Sequence, residues 1–176
     1  MKIGRAAKAV KEARCAVNLT QQQLSFEIFE SREAISQQEN GRYRVQPNIA
    51  TYFANEHNDP FPAIEAAHEY TKWGIAKLDG EAADLHRSSI SIKTKEELME
   101  ALEAVSEANK KLTVNPKSIE QIDIKVIEKS IQESIDAITA LTHYVAILCK
   151  EYRISWVKMW AQHKMKLISR RFLKNG

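Results

Sequence analysis

The chain has 176 residues and a formal net charge of +3, with 44% hydrophobic and 28% charged residues. This balance is typical of a globular protein and excludes a wholly disordered chain. Five glycines and four prolines are too few for a turn-rich all-β sandwich, and the apolar runs are too short for a transmembrane helix. No secretory signal follows Met1, and Cys15 and Cys149 lack a CxxC partner. We therefore expect a cytoplasmic, all-α protein with free thiols and no membrane contact.

Charge is distributed unevenly along the chain. Residues 1–59 carry eight basic and seven acidic side chains, residues 60–149 carry ten and 15, and residues 150–176 carry eight and one. Runs rich in Asn and Pro at 58–62 and 115–116 indicate breaks in the helical pattern. We therefore divide the chain into a first segment at 1–59, an acidic helical middle segment or linker at 60–116, and a last segment at 117–176.

Four short helices are predicted in the first segment, at residues 3–16, 21–28, 32–39 and 47–55. Thr20 and Gln23 match a capping box at the start of the second helix. Ser31 is a suitable N-cap for the third helix, and Asn40-Gly41 match a left-handed C-cap at its end. Pro47 fits the first position of the fourth helix, where its missing N–H has no consequence.

Three helices are predicted in the middle segment, at residues 63–70, 81–90 and 95–111. Thr94 is the expected N-cap of the last of these, with Glu97 completing its capping box. Asp59, Pro60 and Pro62 are expected to stop the helical pattern before residue 63.

The strongest periodicity lies in the last segment, where apolar residues from Ile124 to Tyr152 recur at steps of three and four. This stripe predicts a helix of roughly 28 residues. Ser155 is the expected N-cap of a shorter final helix at 156–172, so the two helices are expected to form an antiparallel hairpin. Because such a hairpin buries one apolar stripe poorly on its own, we expect residues 117–176 to mediate oligomerisation or to bind a partner protein.

Residues 20–44 have the arrangement of a helix-turn-helix, in which the second helix lies in the major groove of DNA. Leu24, Ile28 and Ile35 are spaced to pack the two helices together, with the small Ser25 at their crossing. Polar residues face away from that contact and can hydrogen-bond base edges: Arg32, Glu33, Ser36 and Gln37.

The same stretch resembles the XRE family of Cro/cI-type phage repressors, whose domain is lambda-repressor-like. The matching positions are Thr20-Gln21, Leu24-Ser25, Ser31-Arg32, Ile35-Ser36 and Glu39-Asn40-Gly41-Arg42. The resemblance covers residues 3–57, and Phe29 occupies the position of the family's turn glycine.

The resemblance implies a set of DNA-binding residues. Gln21 would lie near a phosphate at the start of its helix. The residues implied to face bases are Arg32, Glu33 and Gln37, with Ser36 nearby. The residues implied to hold the DNA backbone are Asn40, Arg42 and Arg44.

Together these patterns predict a sequence-specific transcriptional regulator, a phage- or prophage-type repressor that binds a palindromic operator in double-stranded DNA as a homodimer. A different interpretation is a protein-interaction module, antirepressor- or antitoxin-like, in which the C-terminal helices capture a partner protein. No motif of a hydrolase, a nucleotide-binding enzyme or a metal centre occurs, so we expect neither an enzyme nor a cofactor. The basic end, residues 150–176, can contact phosphates or pair with the acidic middle segment.

Overall fold

The computed structural model describes residues 3–113, 115–117 and 119–174, and these residues form eight α-helices and no strand. The helices are α1 (Arg5–Ala16), α2 (Gln21–Ile28), α3 (Arg32–Glu39), α4 (Pro47–His57), α5 (Phe61–Thr71), α6 (Arg87–Asn109), α7 (Gln121–Glu151) and α8 (Trp156–Ser169). The prediction of an all-α protein is confirmed. No helix in the described part of the chain combines the length and the apolar character needed to cross a bilayer.

The chain divides into two compact units. Unit 1 comprises Met1–Lys77 and Leu148–Gly176, and therefore holds α1 to α5, the end of α7 and α8. Unit 2 comprises Leu78–Ile147 and holds α6 and most of α7. These divisions fall at positions other than those of the segments 1–59, 60–116 and 117–176, which followed composition and charge. The three segments stay a prediction.

Unit 1 has a conventional apolar core. Helices α1 to α4 enclose large side chains that solvent does not reach, namely Val10, Leu24, Ile35, Ile49 and Phe53. Burying such side chains contributes about 1.5–3 kcal/mol each, so this cluster stabilises the arrangement of the short helices around it.

The proline-containing run before α5 begins a helix where we expected a stop. The predicted helix at 63–70 starts two residues earlier, at Phe61, with Pro62 in its first turn. Proline is tolerated there because the first N–H groups of a helix have no partner within the helix. The helix packs against α1, and Arg5 holds the buried Glu65 through two hydrogen bonds of 2.9 and 3.0 Å.

The prediction of two separate helices at 81–90 and 95–111 is wrong. Residues 81–86 lie outside any helix, and a single helix, α6, begins after the N-cap His86 and runs through to Asn109. Thr94 is inside this helix rather than at its start. Its hydroxyl donates a 3.2 Å hydrogen bond to the carbonyl oxygen of Ala140, so it joins two helices of unit 2.

The long helix of the last segment is confirmed as α7, and Ser155 caps α8 as predicted by accepting a hydrogen bond from the backbone N–H of Lys158. Within unit 1, α8 contacts α4, and Lys150 at the end of α7 pairs with Asp59. None of the residues of α8 is buried. The antiparallel hairpin of α7 and α8 stays a prediction.

Candidate nucleic-acid interface

The start of α2 is fixed by the predicted capping box. The Thr20 hydroxyl accepts from the backbone N–H of Gln23, and the Gln23 side chain accepts from the backbone N–H of Thr20. At the other end Phe29 adopts a left-handed conformation, with φ 55° and ψ 40°. This conformation favours glycine, the residue that the XRE pattern carries here, and Phe29 adopts it with 96% of its surface exposed.

The ends of α3 are also fixed locally. The Ser31 hydroxyl accepts from the backbone N–H of Ala34 at 3.1 Å, which confirms the predicted N-cap. After α3, Gly41 is left-handed with φ 69°, and a Cβ there would meet the backbone Cα of Ile3 at 3.4 Å. The positive φ value makes glycine the suitable residue at the end of α3, whereas a Cβ there would make only an ordinary contact with Ile3.

Apolar packing holds α2 and α3 against each other as the sequence predicted. Leu24 and Ile35 are fully buried, Ile28 is partly buried, and Ser25 is buried within α2. This packing leaves the opposite side of α3 free to contact another molecule.

A buried ion pair below α3 was not predicted. Glu39 is 1% exposed, and both of its carboxylate oxygens accept from the Arg14 guanidinium, at 2.6 and 2.9 Å. The hydrogen bond to Glu39 raises the pKa of Arg14. Gln21 donates a further bond of 2.8 Å to Glu39, so the pair links α1, α2 and α3. Arg14, on a helix whose other inward residues are apolar, was the sequence feature that could have indicated it.

Five of the eight predicted site residues lie together on the outer side of α3. They line a shallow depression of about 250 Å³, formed by Arg32, Glu33, Ser36, Gln37 and Arg42. Within the described part of the chain, the side chains of Arg32, Glu33, Gln37 and Arg42 make no hydrogen bond or ion pair, so their polar groups are available to a ligand.

The other three predicted residues have partners within the protein. Gln21 bonds Glu39, and the Asn40 amide donates to the Ser36 hydroxyl at 3.3 Å. The Arg44 guanidinium lies 5.6 Å from the centre of the Tyr70 ring, a cation–π contact with α5. Asn40 and Arg44 are nevertheless exposed, so both can still meet a phosphate.

Exposed aromatic side chains flank this surface, and the sequence analysis did not assign them to it. Phe26 and Phe29 line a second depression of about 510 Å³ at the junction of α2 and α3, next to Arg32 and Glu33. Tyr43 is exposed in the loop that follows Arg42. In the sequence, the one indication that these rings lie beside the surface was their position within residues 20–44.

The positive charge of unit 1 is larger than that of the first segment alone. Counting its residues in the sequence gives 18 basic and ten acidic side chains, a net charge of +8. Much of this charge comes from the α8 region, where six cations form no ion pair within the described residues: Lys158, Lys164, Lys166, Arg170, Arg171 and Lys174.

Three carboxylates of unit 2 are close enough to share a cation. Oxygens of Glu97, Glu133 and Asp136 lie within 4.8 Å of one another. Lys93 already pairs with Glu97 at 2.8 Å, and this hydrogen bond raises the pKa of Lys93. Lys93 therefore neutralises part of the negative charge of this acidic cluster.

No family model, curated protein or solved structure matches this chain. The resemblance to the XRE family consequently depends on the residues of the motif themselves. Its strongest support is local, because the turn, both N-caps and the Leu24–Ile35 contact occur together in one stretch of chain.

Proposed function

We propose that this protein is a sequence-specific DNA-binding transcriptional regulator of the XRE, Cro/cI type, a phage- or prophage-type repressor that binds a palindromic operator as a dimer. The observation that carries this proposal is the outer side of α3, where Arg32 and Glu33 are exposed and Gln37 is half-buried, and where none of these side chains has a partner within the described residues.

In this proposal α3 is the recognition helix. Arg32 reads guanine and Gln37 reads adenine through bidentate hydrogen bonds, while Glu33 accepts from the amino group of cytosine. Asn40, Arg42 and Arg44 contact phosphates and fix the helix in the groove. Gln21 can do the same, because its amide has two hydrogens and Glu39 uses one of them.

The charge of unit 1 supplies the sequence-independent part of the affinity. A net charge of +8 attracts the phosphate backbone, and each neutralised phosphate releases counterions and makes binding weaker at high salt. The unpaired cations around α8 belong to the same unit as the recognition helix. We therefore expect them to add affinity without adding sequence preference.

The first test is selection of bound fragments from a random duplex library at about 50 and 200 mM salt. A two-fold-symmetric motif that persists at the higher salt is the expected result, because base contacts give a preference that phosphate attraction cannot. Enrichment without any motif, lost as salt rises, would contradict the proposal and leave only non-specific attraction.

The second test uses a pair of double variants on the selected operator. Arg32→Ala with Gln37→Ala removes two bidentate contacts at about 1–3 kcal/mol each, so binding is expected to weaken at least 30-fold. Lys11→Ala with Gln132→Ala removes one cation and one amide at exposed positions off the site, and serves as the matched control. Equal affinity of the two variants would rule out base reading by α3.

A protein-interaction module is the competing proposal, favoured by the large apolar side chains that unit 2 exposes. On that view the helix-turn-helix is only a scaffold. It predicts that the Arg32→Ala, Gln37→Ala variant keeps the wild-type regulatory effect in cells, whereas changes in unit 2 abolish that effect.

A further inference from the structure

Unit 2 is built on an antiparallel pair of helices. Thr94 of α6 bonds Ala140 of α7 at 3.2 Å, and Lys111, two residues beyond α6, pairs with Asp123 of α7 at 2.8 Å. As the residue number rises along α6 its partner's number falls by the same amount along α7. The two helices therefore run side by side in one constant register over about 17 residues, or about 25 Å.

Over this stretch the seam between the two helices consists of small side chains. Its buried residues are Thr94, Ala101, Ala104 and Ala108 on α6, and Ser130, Ala137 and Ala140 on α7, while the larger Ile90 and Ile147 are buried beyond its Thr94–Ala140 end. Alanine and serine remove little apolar surface from water when they are buried. A helix pair with this seam lacks a core large enough to be stable by itself.

One side of the pair carries charged side chains, and a groove of about 590 Å³ follows the seam there. Its charged lining residues are Glu100, Glu103 and Glu107 from α6 and Lys125, Lys129 and Glu133 from α7, and its apolar lining residues are Ala104, Ile122 and Val126. Successive residues of an α-helix follow one another at about 100° around its axis. The residues that line the groove therefore show in which direction every other side of each helix faces.

The opposite side of the pair is apolar. On the helical wheel three residues of α6 and three of α7 lie roughly half a turn from the groove: Leu98, Leu102, Val105, Ile131, Ile135 and Ile138. Between 39% and 69% of each is exposed. In the common register they lie at the same level of the pair, so they form one surface, the apolar face. The isoleucines belong to the stripe that predicted the long helix, and the structure turns them away from the seam.

We propose that a second copy of this chain covers the apolar face, so that two α6–α7 pairs form a four-helix bundle. With Met99 and Leu141 at its edges, the face exposes on the order of 700 Å² of side-chain surface, close to the roughly 800 Å² that each partner contributes to a standard interface. Its centre is apolar, as in a protein–protein interface, and Lys95, one heptad before Leu102, places a charge at its rim.

The charges of unit 2 favour this occupant over a charged partner. The acidic side chains that could repel another copy, such as Glu100, Glu103 and Glu107, line the groove on the far side. A face of leucine, isoleucine and valine complements itself, as a two-fold interface requires. This inference deepens the proposed function by assigning the dimer contact to α6 and α7 instead of the α7–α8 hairpin.

The first measurement is sedimentation equilibrium of the wild-type chain without DNA, from about 1 to 100 µM. A reversible monomer–dimer equilibrium is expected, accompanied by a melting temperature that rises with protein concentration. A wild-type chain that remains monomeric at 100 µM would overturn the inference.

Charge-matched double variants locate the contact. Leu102→Lys with Ile135→Lys places two charges on the apolar face, whereas Glu100→Gln with Glu103→Gln changes the net charge equally on the groove side. The lysine variant is expected to raise the dimer Kd roughly 100-fold or more, because each charge would have to be desolvated in the interface. The control is expected to dimerise like the wild type. Equal dimerisation of both variants would overturn the assignment.

A milder variant keeps the test decisive if the lysines prevent folding. Leu102→Ala with Ile135→Ala retains good helix formers and is expected to raise the Kd at least tenfold, and an unchanged Kd would overturn the assignment. Failure of the dimer contact can be distinguished from failure of the proposed function, because sedimentation uses no DNA. A dimer that selects no operator would refute the regulator alone, and a monomer that selects half-sites would refute only the dimer contact.

Discussion

Unit 1 and unit 2 place their large apolar side chains on opposite sides of their helices. In unit 1 the large residues point inward, and Leu24, Ile35 and Phe53 are fully buried. Along the middle of unit 2 the helices meet through small residues, mostly alanine, with Ile90 and Ile147 buried only beyond that stretch, while residues such as Leu102 and Ile135 face outward. A helix buries a side chain only where another element covers it. The comparison therefore teaches that unit 1 has a complete core within one chain, whereas unit 2 has large apolar side chains still to cover.

The two units also differ in their backbone conformation. Within the described residues, all positive φ values occur in unit 1, at Asn18, Phe29, Gly41, Asn58, Lys72, Gly74, Arg153 and Arg171. Short helices joined by tight turns need such residues, whereas a pair of long helices does not. The shape of unit 1 is therefore determined by its turns and buried pairs, and that of unit 2 by its helix faces.

The largest expected effect tests the completeness of the unit 1 core. Glu39→Ala leaves the Arg14 guanidinium largely buried without its partner, so we expect a loss of about 3–5 kcal/mol in the free energy of unfolding. Urea denaturation followed by circular dichroism measures it, because unfolding of unit 1 melts α1 to α5.

The control for this variant is Glu12→Ala. Glu12 pairs with Lys77 at 3.0 Å, but its side chain is about half exposed, so its removal is expected to cost less than about 1 kcal/mol. Similar losses in the two variants would show that the buried pair does not hold α1, α2 and α3 together.

An intermediate effect tests the seam of unit 2. Ala137→Leu inserts three carbon atoms between α6 and α7, and overpacking of this kind costs about 1–3 kcal/mol. Thermal unfolding followed by circular dichroism measures the loss, with Gln132→Leu as a control that adds leucine at an exposed position of the same helix. A seam that accepts the larger side chain without loss would mean that the helices are not closely packed there.

The smallest effect concerns the turn between α2 and α3. Phe29→Gly removes a side chain that is almost wholly exposed and relieves the left-handed strain of about 1–2 kcal/mol. Part of that gain is offset by the greater freedom of glycine in the unfolded chain, so we expect a net stabilisation of about 0.5–1 kcal/mol. Chemical denaturation measures it, and a destabilised variant would show that the Phe29 ring makes a contact that holds the turn.

Features that depend on neighbouring residues could be predicted from the sequence. Thr20, Ser31 and Ser155 each cap a helix by bonding a backbone N–H three residues ahead, so the short local pattern contains the whole interaction. The same reasoning failed at Thr94, because its hydroxyl bonds Ala140, which is 46 residues away. A pattern of nearby residues cannot distinguish these two uses of a hydroxyl.

Buried pairs and helix faces could not be predicted for a related reason. The partners of Glu39 and Glu65 are Arg14 and Arg5, which lie 25 and 60 residues away in the chain. In α7 the series Ile131, Ile135, Ile138 and the series Ser130, Ala137, Ala140 both have helical spacing. The period therefore predicts the helix, but only its packing decides which series is buried.

The division of unit 1 into two stretches of chain has a consequence for protein synthesis. The 70 residues of unit 2 separate α5 from α8. At about 5–20 residues per second a ribosome needs roughly 4–14 s to make them. During that time the nascent chain has α3 but lacks the cations of α8. On the proposed function, we therefore expect affinity for nucleic acid to reach its full value only after α8 has left the ribosome.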